Sequence, residues 1–229
     1  MMNNRMNNGA LIYGNRSSKN TLNLDRILRH ILNGGVAAVP TETVYGLLAD
    51  ASSLDAVEKV RNLKGKSDSI PIFVPDDSSL IELAVDPGDD LLLLEKEFWP
   101  GPLLFIVDPS EIVVGLPVTL TNRIGVRKSG LKLIGELVRK TGRFLTATSA
   151  NRSGAPPIIK ASEVKKTFGD TDLLIMEEIP GFTPDSRPST VIERIGDDLV
   201  IRREGAITAE QIKRVLYREG FKKRIIRSG

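Results

Sequence analysis

The sequence predicts one α+β domain, a twisted mixed β-sheet flanked by helices, on three observations. Segments with helical spacing alternate with short apolar runs, which calls for crossover connections between parallel strands. A late stretch, "STVIERIGDDLVIRRE", reads as a hairpin turning on Gly196-Asp197-Asp198, so antiparallel pairing is added and the sheet becomes mixed. The chain of 229 residues, with 41% hydrophobic and 27% charged side chains, suffices for one sizeable core.

Residues 1–20 are rich in Asn, Arg and Ser without periodicity and read as a flexible or extended arm; residues 21–217 form the domain. Leu24, Ile27, Leu28, Ile31 and Leu32 recur at helical spacing until Asn33-Gly34-Gly35 stops the helix, and residues 36–39 follow as a buried strand. A second helix opens on a serine cap, presents Val57, Val60 and Leu63 on one face and closes at Gly65, before the strand "IPIFV". Two helical segments, "SSLIELA" and "GDDLLLLEKEFW", precede the breaker "PGP" and the strand "LLFIV". "IGVRKS" is a strand, "LKLIGELVRKTG" a helix, and "RFLTATSAN" a strand running into a polar loop. After a short helix, "ASEVKKTFG", and a strand, "DLLIME", come the hairpin and a final amphipathic helix with a Thr208–Gln211 capping box.

Composition removes several chemistries. Cysteine is absent, which excludes disulfides, thiolate nucleophiles and cysteine-ligated metals. The one histidine, His30, lies in the first helical pattern and reads as a solvent-facing or packing residue in place of a catalytic one, so no histidine triad or imidazole zinc site is expected. No run approaches a membrane span and the first residues lack a signal-peptide core, which predicts a cytoplasmic protein without a membrane partner. From Arg202 onward nine Lys/Arg face three Asp/Glu. Residues 218–229 therefore read as a basic tail, with a frayed terminus favoured over a nucleic-acid contact.

Three loops carry hydroxyl or cationic groups at element ends: "PTETVYG" at 40–46, "KGKSDS" at 64–69 and "TSANRSG" at 148–154. Lysines spaced i, i+2 beside glycine can converge on a polyphosphate, and small hydroxyls with backbone amides can donate to its oxygens. Neither a Walker pattern nor a G-x-G-x-x-G fingerprint is present. Arg127 and Arg203 end predicted strands next to polar loops; snorkelling from a sheet edge and anion binding fit either one equally well.

Taken in order, "PTETVYGL", the Lys-x-basic loop, "WPGPLLFIV", "GVR", "TATSANRSG" and "PSTVIE…VIRREG" resemble the YrdC-like family of threonylcarbamoyl-AMP synthases over about residues 22–215. The resemblance implies the YrdC/RibB-like fold in its single-domain form, without the C-terminal domain of longer members. It also implies an enzyme that makes threonylcarbamoyl-adenylate and pyrophosphate from L-threonine, bicarbonate and ATP for the t6A modification of tRNA. By resemblance, Thr41 contacts threonine, Ser189 positions it, and Lys64 and Lys66 serve the ATP phosphates as the catalytic cations. Thr148, Ser149 and Asn151 line the nucleotide, and Arg127 and Arg203 complete an anion-binding wall. Mg²⁺ accompanies ATP without a dedicated protein site, and t6A-pathway proteins are expected partners. Glu42 is a weaker choice for a general base, since it can instead pair with a nearby cation.

The chain departs from the family pattern at Lys66, at Pro75, at Lys128-Ser129 and at Glu204. These departures keep two alternatives in view: a module that binds tRNA or double-stranded RNA without this activity, and a carbamoyl-adenylate enzyme with another acceptor.

Overall fold

The structure, a computed structural model, describes residues 18–65, 69–119, 121–169, 171–222 and 225–227. Helix α1 (Ser18–Leu32) ends at Gly34, whose φ of +77° suits a residue without a side chain. The next glycine is needed for space: a Cβ on Gly35 would meet the His30 ring at 2.4 Å. That ring packs there with Nε2 3.1 Å from the Val36 carbonyl oxygen, so His30 is structural. Strands β1 (Val36–Val39) and β2 (Gly46–Leu48) then pair antiparallel around the loop 40–45. Helix α2 (Leu54–Lys64) is capped by Ser53, which accepts from Ala56 N, and by left-handed Gly65.

The chain continues through β3 (Ile72–Phe73), α3 (Leu80–Leu83), α4 (Gly88–Phe98), β4 (Leu103–Val107), β5 (Ile124–Arg127), α5 (Lys132–Thr141), β6 (Leu145–Thr146) and β7 (Thr148–Ser149). It closes with α6 (Ala161–Phe168), β8 (Leu173–Ile175), β9 (Thr190–Ile195), β10 (Asp198–Arg203), α7 (Ala209–Arg218) and β11 (Ile225–Arg227). Thr208 and Gln211 cap α7 reciprocally, as the sequence predicts.

The expected mixed sheet is divided in two, a four-stranded sheet ordered β7-β2-β1-β8 and a seven-stranded one ordered β11-β10-β9-β4-β5-β3-β6. A bridge between Asp50 and Leu145 joins them, as does Thr146, whose hydroxyl donates to Leu47 O and accepts from Ala49 N. Neither β2 nor β7 is anticipated by the sequence reading. Both are very short, and β2 is buried on both faces, so it carries no alternation. Residues 225–227, placed in a frayed basic tail from sequence, instead form β11 parallel to β10, with Ile225 packed on the core. At the other end α1 begins at Ser18, inside the span read as an arm; residues 1–17 lie outside the described residues.

Alternation decides which face becomes the core. Leu103, Phe105 and Val107 of β4, Ile124 and Val126 of β5 and Ile192 of β9 join Leu94 of α4 and Ile212 of α7 in one apolar cluster. The opposite face of the same strands is left for a cavity. A second cluster, with Ile27 and Ile31 of α1 and Leu137 of α5, packs against Val39, Leu48 and Leu145. Among the described residues no helix is long and apolar enough to cross a membrane.

Candidate functional site

Six residues singled out from sequence, Thr41, Arg127, Thr148, Ser149, Ser189 and Arg203, line one cavity of about 310 Å³. Its floor is the exposed face of the seven-stranded sheet, and its walls are the loop 40–45 and strand β7. Sheet register explains the convergence. Gly46 pairs with Ser149 and Leu47 with Thr148, which sets the second loop beside the first. Arg127 lies opposite Phe73, and Arg203 opposite Val191, which is itself opposite Leu104.

The loop 40–45 is both a turn and a wall. Thr41 Oγ1 donates to Val44 O at 2.7 Å and accepts from the Thr43 and Val44 amides, so its hydroxyl closes the turn. Glu42 leaves that turn to accept from Arg127 Nη2 (2.6 Å), Ser129 Oγ (2.6 Å) and Gly130 N (2.8 Å). Burial pushes the Glu42 pKa up, but the Arg127 charge and these hydrogen bonds outweigh it and hold the carboxyl below its ordinary value. An ionised carboxylate with three donors fixes the loop and is poorly suited to take a proton.

Lys64 is placed by the end of α2 and donates to Ser149 O at 2.8 Å, with Ser149 Oγ and Asn151 Oδ1 at 3.5 and 3.4 Å. Asn151 is not on the cavity wall; its amide donates to the Arg152 and Ala155 carbonyls and holds the loop behind Lys64. Lys66 lies outside the described residues. Arg203 donates from Nε and Nη2 to Ser189 O (3.1 and 2.9 Å) and forms no ion pair among the described residues. Partial withdrawal of its head from water and the nearby Arg127 charge push its pKa down.

The departures have structural roles. Ser129 and Gly130 supply two of the three donors on Glu42. Lys128 turns away from the cavity, donates to Ser78 O at 2.6 Å and lies over the Trp99 ring. Glu204 accepts from Ala209 N at the start of α7 and pairs with Arg227 of β11 at 3.0 Å. Sequence reasoning missed Arg123, Gly125 and Thr43 on the cavity wall. The signal for the first two is the period-two spacing 123-125-127 running into β5. Among the described residues no group of three His, Cys, Asp or Glu side chains is placed to hold a metal ion.

The family model Sua5/YciO/YrdC, described as telomere recombination, matches residues 29–205. The threonylcarbamoyl-AMP synthase of Bacillus subtilis (strain 168) is 35% identical over 184 residues, covering 79% of this chain and 53% of that protein. The chain thus spans about half the length of that relative, and 55% of the Pyrococcus abyssi threonylcarbamoyl-AMP synthase, to which it is 32% identical over 188 residues, 81% of this chain. A shorter protein of that name, from Pseudoalteromonas atlantica, is 32% identical over 161 residues, 69% of this chain and 86% of its own. Among solved structures, P. abyssi Sua5 complexed with L-threonine superposes with a TM-score of 0.75 at 31% identity, covering 88% of this chain and 58% of that one. E. coli YciO, at 21% identity and a TM-score of 0.67 over 82% of this chain and 92% of its own, has the same fold.

Proposed function

We propose, from the premise that this chain belongs to the Sua5/YciO/YrdC family, that it condenses L-threonine, bicarbonate and ATP into threonylcarbamoyl-adenylate with release of pyrophosphate. The observation that carries this reading is the convergence of hydroxyls from two separated loops and two guanidinium groups from β5 and β10 on one cavity. The threonine complex of P. abyssi Sua5 supports the amino acid as one ligand.

The geometry suits positioning chemistry. Threonine carbamate must meet the α-phosphorus in line with the departing pyrophosphate, which calls for alignment and charge neutralisation in place of a covalent nucleophile. Arg203, without a carboxylate partner among the described residues, is the cation best placed to hold an anionic group. Arg127 is oriented by Glu42 and by Gly101 O, to which Nε donates at 3.3 Å. Lys64 reaches the nucleotide by exchanging Ser149 O for a phosphate oxygen, and Lys66 is assigned to the ATP phosphates by family resemblance alone. Thr148 and Ser149 donate from the facing wall, with Asn151 bracing them, while Ser189 and the Thr41 turn shape the threonine end. Mg²⁺ enters with ATP as part of the substrate; both oxygens of the Glu42 carboxylate, on the loop 40–45, are engaged by protein donors. The product would serve t6A formation on tRNA.

Pyrophosphate release from ATP, measured with and without threonine and bicarbonate, tests the reading; release that ignores both, or none at all from folded protein, overturns it. Lys64→Ala should lower turnover on the order of 10²-fold, and an unchanged rate removes Lys64 from the site.

A further inference from the structure

Resting on the nucleotide site just proposed, and deepening it, we infer that Arg123 is a stacking platform for the purine base at the far end of the cavity. Gly125 and Arg127 of β5 and Arg123, the residue just before that strand, all line the cavity. The two arginines are four residues apart, about 13 Å for an extended chain. Gly125 between them lets apolar side chains close over the strand: a Cβ there would meet Pro71 Cβ at 3.0 Å and Leu104 Cδ2 at 3.2 Å, so Pro71 and Leu104 form an apolar lining at this point of the cavity. Ile106, the cross-strand partner of Gly125, adds a further apolar wall. The cavity therefore has a polar end around Arg127 and Arg203 and an apolar stretch lined by Pro71, Leu104 and Ile106 that finishes on a cation.

The hydrogen bonds of Arg123 decide what that cation can offer. Nη1 donates to Asp108 Oδ1 at 3.0 Å, and Nη2 lies 3.3 Å from the Ile106 and Arg194 carbonyl oxygens and 3.1 Å from Glu193 Oε1. Nε is buried and has no hydrogen-bond partner among the described residues. A guanidinium grips phosphate through its in-plane N–H groups. Here Nη2 and one N–H of Nη1 are committed to protein acceptors, Nε is buried, and two carboxylates offset the charge. A two-pronged grip on phosphate is thereby lost, and what the group chiefly offers a ligand is its flat, weakly hydrated face, a surface on which a heteroaromatic ring stacks. A triphosphate reaching Arg127 and Arg203 would then lay its base along that apolar stretch against the Arg123 face.

The test compares binding of ATP, UTP and inorganic tripolyphosphate by calorimetry to the intact protein and to Arg123→Leu and Arg123→Lys, with thermal midpoints recorded. The inference expects Arg123→Leu to weaken ATP about tenfold and leave tripolyphosphate within about twofold of its original affinity. Arg123→Lys, which restores charge without a plane, should not recover the loss. Equal weakening of ATP and tripolyphosphate, rescue by lysine, or unchanged ATP affinity in either variant overturns it. If neither variant folds, the unaltered protein decides: ATP should bind several-fold more tightly than UTP, and equal affinities overturn the inference. Failure of the unaltered protein to bind any triphosphate sinks the proposed function itself. Threonine-dependent pyrophosphate release with an inert Arg123 sinks only the platform.

Discussion

Arg127 and Arg203 stand on the same sheet face and line the same cavity, yet the walls that carry them are built differently. Arg127, 5% exposed, is locked by a carboxylate, a carbonyl and the Phe73 ring, over which its guanidinium sits at 5.4 Å. Arg203 leans on a single carbonyl oxygen with no carboxylate in reach among the described residues. The difference teaches that one arginine is held in place by several protein groups, while the other keeps a charge that no carboxylate among the described residues offsets. A buried ion pair contributes modestly over an apolar substitute, but removing one partner is costly. The two walls should therefore answer mutation in opposite currencies, stability for the first and turnover for the second.

The largest expected effect is on the first wall. Glu42→Ala strands Arg127 beside Arg203 and releases the loop 128–131, so denaturant unfolding should show a loss of about 3 kcal/mol; a loss under about 1 kcal/mol would erase the contrast. Next, Arg203→Met should lower threonine-dependent pyrophosphate release about 10²-fold while leaving the thermal midpoint nearly unchanged. A large fall in midpoint would make Arg203 a structural residue like its neighbour.

Acid sharpens the comparison further. Because the Glu42 carboxyl is held below its ordinary 4.5, its contribution is complete above that pH and is lost as pH falls through the folded-state value. Asp50, between the two sheets, behaves alike: burial raises its pKa, but Ser52 and Arg143 more than offset this and lower it. Stability by denaturant titration should therefore hold from neutrality to about pH 4.5 and then decline, with a shallower decline in Glu42→Gln. The smallest effect belongs to the second wall's tether. Arg227→Ala breaks a solvent-exposed pair with Glu204, and stability should change by less than about 1 kcal/mol.

Much of this was legible locally. Ser53, Gly65 and the Thr208–Gln211 box announce their helix ends because capping is a matter of a few adjacent residues. The site was legible as a set of ordered motifs, and six residues of that set meet in the cavity, three from the polar loops and three at or beside strand ends. That Glu42 pairs with a cation was legible as an alternative to a base, but which cation, and the Ser129 and Gly130 donors beside it, were not, since all three lie far along the chain and only tertiary packing brings them to it. Strand β11 was hidden because its two isoleucines sit among basic residues whose charge suggested solvent. Arg123 was visible only as a member of a period-two row, and that row matters once one knows which face of β5 is open.

The division of the sheet has a consequence for how the chain reaches its final form. β8 aligns beside β1, and β9 beside β4, through segments distant in sequence, so the hollow between the sheets cannot take shape from any early fragment. Contacts of that kind slow acquisition of structure. A nascent chain emerging through α2 would display the threonine-bearing bend long before the arginine on β10 exists to face it, and competence to hold an anion should appear late in synthesis, in one step.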